Sequence, residues 1–328
     1  MMILKPSNTT QVAARFFRNF GVWMLVVLGV VGSSYAQEYE RVDASIQLYP
    51  TEFDTPEQLS RFITRDFTSE EDKVRAIYTW IIENVRYDPD EYKQFNYSFK
   101  NYRERNQKEE NTREKIIKRT LQKGVAVCEG YAMLFERLCE LQGIQNYLVR
   151  GDTKTHFKDI GRKYNTNHMW NVALIDGKPY LFDPTWGAGR FNGTFIKDPS
   201  YYFYKTPPEH FFKTHYPDIF EDAFVDHPVS REEFSRRPLI IEKSLLLTNL
   251  ETPAEGLLRS DAYFGEIPFR ITNISPERIS YSYGDEVILI NEFTNDANAV
   301  EFTIPIEMGR SNLLIYFDDK PALGYKIK

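Results

Sequence analysis

The sequence predicts an α+β chain in which helices and strands mix over the first two thirds and an all-β sandwich follows. Three stretches carry this reading. Gly124 to Gly143, GVAVCEGYAMLFERLCELQG, repeats its apolar residues at helical spacing. Asn167 to Trp186, NHMWNVALIDGKPYLFDPTW, holds two apolar runs separated by Asp176-Gly177, a strong hairpin signal. From about Pro238 the texture changes to short runs of period-two alternation divided by turns. The expected division is residues 1–36, 37–237 and 238–328.

The first 36 residues read as a signal peptide. Lys5, Arg15 and Arg18 precede an apolar run from Phe20 to Val31, and Ser34-Tyr35-Ala36 supplies small residues for cleavage before Gln37. The run falls short of the roughly 20 residues that span a bilayer, so no stable membrane anchor is expected after cleavage. No cysteine follows it, which argues against a lipoprotein. An exported chain, periplasmic or extracellular, is expected. The 41 basic and 47 acidic residues leave a mildly negative balance that argues against nucleic-acid binding.

Tyr39 to Ile63 is read as crossing the surface and entering a short helix at Thr55-Pro56, a cap followed by proline at the first helical position. Thr68 with Glu71 forms a capping-box pattern, and Val74, Ile77, Tyr78, Ile81, Ile82 and Val85 give the next helix its buried face. Trp80 is assigned to the core. Phe95 to Lys123 is densely charged, but Glu104, Glu109, Glu110 and Glu114 alternate with its lysines and arginines. That mixture marks a solvated helix face or loop rather than a polyanion site.

Tyr131, Leu134, Phe135, Leu138 and Cys139 form the buried stripe of the central helix, which Gly143 stops. Cys128 therefore stands in the first turn, where unpaired amides and the positive end of the helix dipole favour thiolate over thiol. Eleven residues of helix would separate Cys128 from Cys139 by about 16 Å, beyond the roughly 7 Å that a disulfide allows between Cα atoms. Cys139 belongs to the core. Neither cysteine has metal-site spacing.

Gln145 to Arg150 reads as a strand and Asp152 to Thr166 as a polar loop with a solvated His156. In the hairpin, a two-residue loop pairs Ile175 with Lys178 and sets Trp170 opposite Asp183. His168 then lies one diagonal step from Asp183 on the same face. Pro179 falls at a non-hydrogen-bonded position. A carboxylate beside an imidazole is the arrangement that lets the imidazole take a proton from a thiol. Gly187 to Gly193 is a glycine-rich turn without the phosphate-loop lysine. His210, His215 and His227 are too scattered for a metal site and are each read as structural.

The words CEGYA, NHMWN and YLFDPTWGAG, in this order, resemble the transglutaminase-like superfamily, in particular its kyphoscoliosis-peptidase and cytokinesis-protein branch. KVRAIYTWIIENVRYD (Lys73 to Asp88) is similar to the family's preceding helix, and FYKTPPEHFFKTHYPD (Phe203 to Asp218) to its closing segment, so the resemblance covers about residues 45 to 235. It implies a papain-like α+β core, helices packed on an antiparallel sheet, with a Cys-His-Asp triad: Cys128 as nucleophile, His168 as general base and Asp183 as its orienter. Met169 departs from the small residue common in relatives.

The C-terminal runs, Leu239 to Leu247, Ile267 to Thr272, Arg278 to Tyr283, Glu286 to Asn291, Val300 to Ile306 and Leu313 to Phe317, carry no cluster of acids, bases or ligands. Asn295-Asp296 and Asp318-Asp319 read as turns between them. Such a domain is a spacer or a recognition module, through which the protein would be a cell-envelope component. No cofactor or metal is expected, and no calcium loop of the EF-hand type is found. The function expected is thiol acyl transfer on protein or peptide amides, as a peptidase or amidase. A transglutaminase that passes the acyl group to an amine and a non-catalytic envelope module stay open.

Overall fold

Ser69 starts the helix on which the core is assembled. Its backbone is extended and its Oγ accepts a hydrogen bond from the Asp72 amide at 3.1 Å, so the cap lies one residue beyond the Thr68–Glu71 pair expected from the sequence. Glu71 instead accepts from Tyr39, from the Tyr204 hydroxyl at 3.2 Å and from Lys205 Nζ at 2.7 Å. The computed structural model describes residues 39–94, 102–284, 286–296 and 298–328. The segment read as a signal peptide and the start of the charged stretch, 95–101, lie outside the described residues.

Five helices lead to the sheet: α1 (39–46), α2 (Pro56–Asp66), α3 (Glu70–Asn84), α4 (Tyr102–Lys123) and α5 (Cys128–Leu141). The first corrects the expectation of a surface crossing, because Val42 and Ile46 are apolar residues four apart and both are buried. Every residue of α3 from Val74 to Ile82 is buried. Its polar members are matched: Trp80 Nε1 donates to the Pro50 carbonyl at 2.9 Å, and Arg75 forks onto Asp43 at 2.9 and 2.6 Å.

Helix α5 runs beside α4, and Gly130 permits the approach. A Cβ there would stand 2.5 Å from Thr120 Oγ1 and 2.6 Å from Ala126 Cβ. Short strands β1 (Arg86–Tyr87) and β2 (Val125–Ala126) pair in parallel and tie the end of α3 to the start of α5, which brings Tyr87 toward Cys128.

Against α5 lies an antiparallel sheet of β3 (Asn146–Thr153), β4 (His168–Ile175), β5 (Lys178–Phe182), β8 (Tyr204–Thr206) and β9 (His215–Pro217), in the order β8-β5-β4-β3-β9. The Asn171 side chain donates to the Ala132 carbonyl at 3.0 Å and the Phe135 and Phe182 rings meet at 5.2 Å, which locks helix to sheet. The β4–β5 register pairs Ile175 with Lys178 and Asn171 with Phe182, as counted from the two-residue loop, with Asp176 and Gly177 at positive φ. Strand β3 continues to Thr153, into the stretch read as loop. The glycine-rich segment after Asp183 is a short helix, α6 (Pro184–Ala188), followed by a hairpin of β6 (Gly189–Asn192) and β7 (Thr194–Lys197). The Asp183 side chain caps α6 and converts the supposed turn.

After α7 (Pro208–Phe211) and α8 (Arg231–Arg236) the chain is strand-rich. One sheet takes the order β10-β19-β18-β14-β15, from Leu239–Ile240, Lys320–Ile327, Asn312–Phe317, Ile279–Ser282 and Ile288–Leu289, with β12 (Leu257–Leu258) also on β19. The other takes the order β11-β13-β17-β16, from Asn249–Thr252, Glu266–Thr272, Ala299–Pro305 and Thr294–Asp296. Phe269 of β13 meets Tyr325 of β19 at 5.4 Å, and Phe302 of β17 meets Phe317 of β18 at 6.3 Å, so the two sheets share one core.

Two expectations here are corrected. Leu239 to Leu247 is not one strand, because Glu242 accepts from the Ser244 amide and turns the chain into a 3₁₀ segment. Asn295-Asp296 is not a turn but the end of β16, where Asn295 pairs with Val300. Lys154 Nζ donates to the carbonyls of Phe234 and Arg237 at 2.6 and 2.8 Å, and Lys213 Nζ to that of Leu246 at 2.6 Å, which fastens the connecting segment to the core. Among the described residues no helix is long and apolar enough to cross a membrane.

Candidate active site

Cys128 is the first residue of α5 and is 3% exposed. Val127 caps the helix without a side-chain hydrogen bond, so the first-turn amides have no side-chain acceptor from the cap. Three polar groups surround the sulfur. His168, the first residue of β4, lies near enough for the thiol to raise the imidazole pKa. The Tyr92 hydroxyl stands 3.5 Å away and Glu129 Oε2 3.3 Å away.

His168 directs Nε2 at Asp183 Oδ2, 2.7 Å away, which leaves the other ring nitrogen for the thiol. Asp183 has no exposed surface, and all its acceptor sites are engaged. Oδ1 receives the amides of Thr185 and Trp186 at 2.8 and 3.1 Å as the cap of α6, and Oδ2 receives His168 together with His215 Nε2 at 3.0 Å. Burial by itself raises a carboxyl pKa, but the charge and hydrogen bond of His168, joined by those of His215, hold Asp183 well below the usual carboxylate range. Burial likewise opposes protonation of His168. The charge of Asp183, its hydrogen bond and that of Cys128 outweigh it and raise His168 to about 10. His215, enclosed by Trp170, Trp186, Phe203 and Phe211, is pushed down to about 4 by burial, which Asp183 only partly offsets.

The structure thus gathers Cys128, His168 and Asp183, and adds His215, which the sequence reading left as structural. His215 sits on β9, which pairs with β3 rather than with a hairpin neighbour, so no local count reaches it. Its only sequence signal is a place within the Phe203–Asp218 segment. His156 is exposed and meets Thr155 Oγ1, and His210 and His227 are not in the cluster. Cys139 is fully buried, and burial pushes its thiol well up.

His168, Asp183 and His215 offer ligand atoms within 4.8 Å of one another. Both imidazoles aim Nε2 at the same carboxylate oxygen, so the three satisfy one another, and a cation among them would displace both hydrogen bonds.

A core model of the transglutaminase-like superfamily matches residues 57–184, the span that holds all three residues of the Cys128–His168–Asp183 cluster. Over this span the chain is similar to the transglutaminase-like superfamily. Two curated relatives, the kyphoscoliosis peptidases of Mus musculus and Homo sapiens, are each 28% identical, over 202 and 206 residues. Each match covers 60% of this chain and 28% of the relative's own length. A crystal structure of a TGase aligns with 52% of this chain and 37% of its own, at 16% identity and a TM-score of 0.28. His215 lies beyond the part of the chain that the superfamily model matches.

Proposed function

We propose that this protein is a cysteine acyl-transfer enzyme that hydrolyses peptide amides. The observation that carries the reading is the position of His168, whose ring interacts electrostatically with the Cys128 thiol and hydrogen-bonds a buried, fully coordinated carboxylate. In this reaction His168 holds the proton given up by Cys128, and the sulfur attacks the carbonyl carbon of the amide. The carbon–nitrogen bond then breaks, His168 returns the proton to the leaving amine, and a thioester remains on Cys128. Water, deprotonated by His168, attacks the thioester and restores the thiol. Asp183 holds the imidazole oriented and stabilises its charged form. The amide of Cys128, at the start of α5, is a candidate donor to the developing oxyanion.

Hydrolysis is favoured over transfer to an amine by the kinship with relatives named as peptidases. The N-terminal signal pattern supports a site of action outside the cytoplasm, and the strand-rich region from Pro238 would serve as a recognition module in the cell envelope. Mass spectrometry of the full chain incubated with a glutamine-containing peptide and a primary amine tests the reading. Cleaved peptide or deamidated glutamine supports hydrolysis; an amine-linked product would instead make the protein a transglutaminase. Absence of all three from a panel of peptides would favour the non-catalytic module.

A further inference from the structure

Asp183 carries two imidazoles on one oxygen, and only one of them reaches the thiol. His215 Nε2 lies 3.0 Å from Oδ2, and His168 Nε2 lies 2.7 Å from the same atom. We propose that His215 is a positioning residue: its Nε2–H fixes the Asp183 carboxylate in the orientation that His168 requires. The proposal rests on the cysteine-enzyme reading given above and adds a member to that site.

The geometry assigns the proton. A carboxylate oxygen accepts only, so the His215 nitrogen facing it must carry hydrogen. Nδ1 is then the acceptor, and the Thr214 hydroxyl stands 2.7 Å from it. The rest of the surroundings are aromatic. Phe211 stacks on the ring at 4.1 Å, with Trp186 at 4.8 Å, Trp170 at 5.1 Å and Phe203 at 5.7 Å. Among the described residues the titratable groups facing this pocket are Asp183 and His168, with Cys128 beyond His168. Such a cage keeps the ring neutral while leaving its donor intact. The backbone is built for the contact. Gly151 of β3 lies between β9 and Trp170, and a Cβ there would stand 2.1 Å from the Tyr216 carbonyl oxygen and 2.4 Å from Trp170 Cη2. Any larger residue would push β9, and His215 with it, away from Asp183.

Oδ1 alone does not set the carboxylate. Its two amide donors hold one oxygen, and without His215 the second would keep only the contact to His168, whose position it is meant to fix. With His215 present, Oδ2 faces His168, and the imidazolium that pairs with a Cys128 thiolate is stabilised. Removing the donor should therefore reduce the share of thiolate near neutrality.

The experiment measures the alkylation rate of Cys128 by iodoacetamide against pH in the full chain, located by peptide mass mapping. Wild type, His215→Phe, His215→Gln and His168→Ala are compared. His215→Phe keeps the ring and removes the donor. His215→Gln places an amide nitrogen where Nε2 stood. The expected result is rapid labelling of wild type and His215→Gln below pH 7, with the His215→Phe rate at pH 6 about tenfold lower and its profile moved toward that of His168→Ala. Superimposed wild-type and His215→Phe profiles would overturn the proposal, because His215 would then only fill space. If His215→Phe does not fold, His215→Asn replaces it, since its amide sits at the Nδ1 position: matching Gln and Asn profiles overturn the proposal, and retention by Gln alone supports it. A wild-type profile no different from that of His168→Ala would reject the cysteine-enzyme reading itself, and the role of His215 with it.

Discussion

The Tyr92 hydroxyl rests 3.5 Å from the Cys128 sulfur, on a 3₁₀ segment that ends at Gln94. Tyr92 is itself half exposed, whereas the thiol is almost wholly covered, so the phenol is part of what covers it. Its proton is held firmly: burial, then the charge of Cys128, raise the phenol far above its ordinary range. The ring therefore stands beside the sulfur on one side of its approach. Tyr92→Ala is expected to raise the alkylation rate of Cys128 about fivefold, the equivalent of one net hydrogen bond of about 1 kcal/mol. An unchanged rate would mean that the approach to Cys128 lies on another side.

Asp183→Asn separates the two roles of that side chain. The amide oxygen still caps α6 through Thr185 and Trp186, so the fold should hold. Its NH₂ group, however, meets two imidazole N–H donors. Peptide hydrolysis should fall by about two to four orders of magnitude. Circular dichroism checks that the fold is kept, and a variant as active as wild type would remove Asp183 from the mechanism.

The two histidines on Asp183 should titrate in opposite directions. The folded-state pKa of His168 is raised from 6.5 to about 10, so its contribution to stability is complete below pH 6.5 and is lost as pH rises through about 10. That of His215 is depressed to about 4. The unfolded chain gains a proton on this residue that the folded chain refuses, so stability falls as pH drops from 6.5 toward 4. Thermal melts of wild type and His215→Phe between pH 4 and 7 check the second sign. The wild type should lose more of its melting temperature on acidification than the variant, and a steeper loss in the variant would contradict the assignment.

Gly130→Ala tests the contact that places the start of α5. The added methyl would stand 2.5 Å from Thr120 Oγ1 and 2.6 Å from Ala126 Cβ. Neither neighbour is the far end of a flexible chain, so α4 and β2 must shift. A destabilisation of about 1–3 kcal/mol is expected in denaturant melts, together with slower labelling of Cys128.

The pairing of His168 with Asp183 is legible in the sequence because a two-residue loop fixes the register of both arms, and counting back from Asp176-Gly177 leads to them. The helix of Cys128 is equally legible, since its apolar stripe and stopping glycine are local signals. The resemblance to a known superfamily adds the roles expected of the three residues. His215 is not reachable in this way. It meets Asp183 only because β9 adds to the sheet edge at β3, more than 60 residues away in the chain. Tyr92 comes to the sulfur through the β1–β2 pair, whose strands have two residues each and leave no periodicity to read. The last strand, β19, was missed for a different reason: Pro321 and Gly324 interrupt its pattern, and both are tolerated where the register shifts and where Phe157 presses against the backbone.

A nucleophilic Cys128 carries the acyl group as a thioester after acyl transfer. The most direct test mixes the full chain with a p-nitrophenyl ester of an N-acylated dipeptide, quenches in acid within the first turnover, and determines the intact mass and the modified peptide. A mass gain of one acyl group on Cys128 is expected, lost in Cys128→Ser and strongly slowed in His168→Ala. An acyl group found elsewhere on the chain, or equal labelling of Cys128 with and without His168, would contradict it.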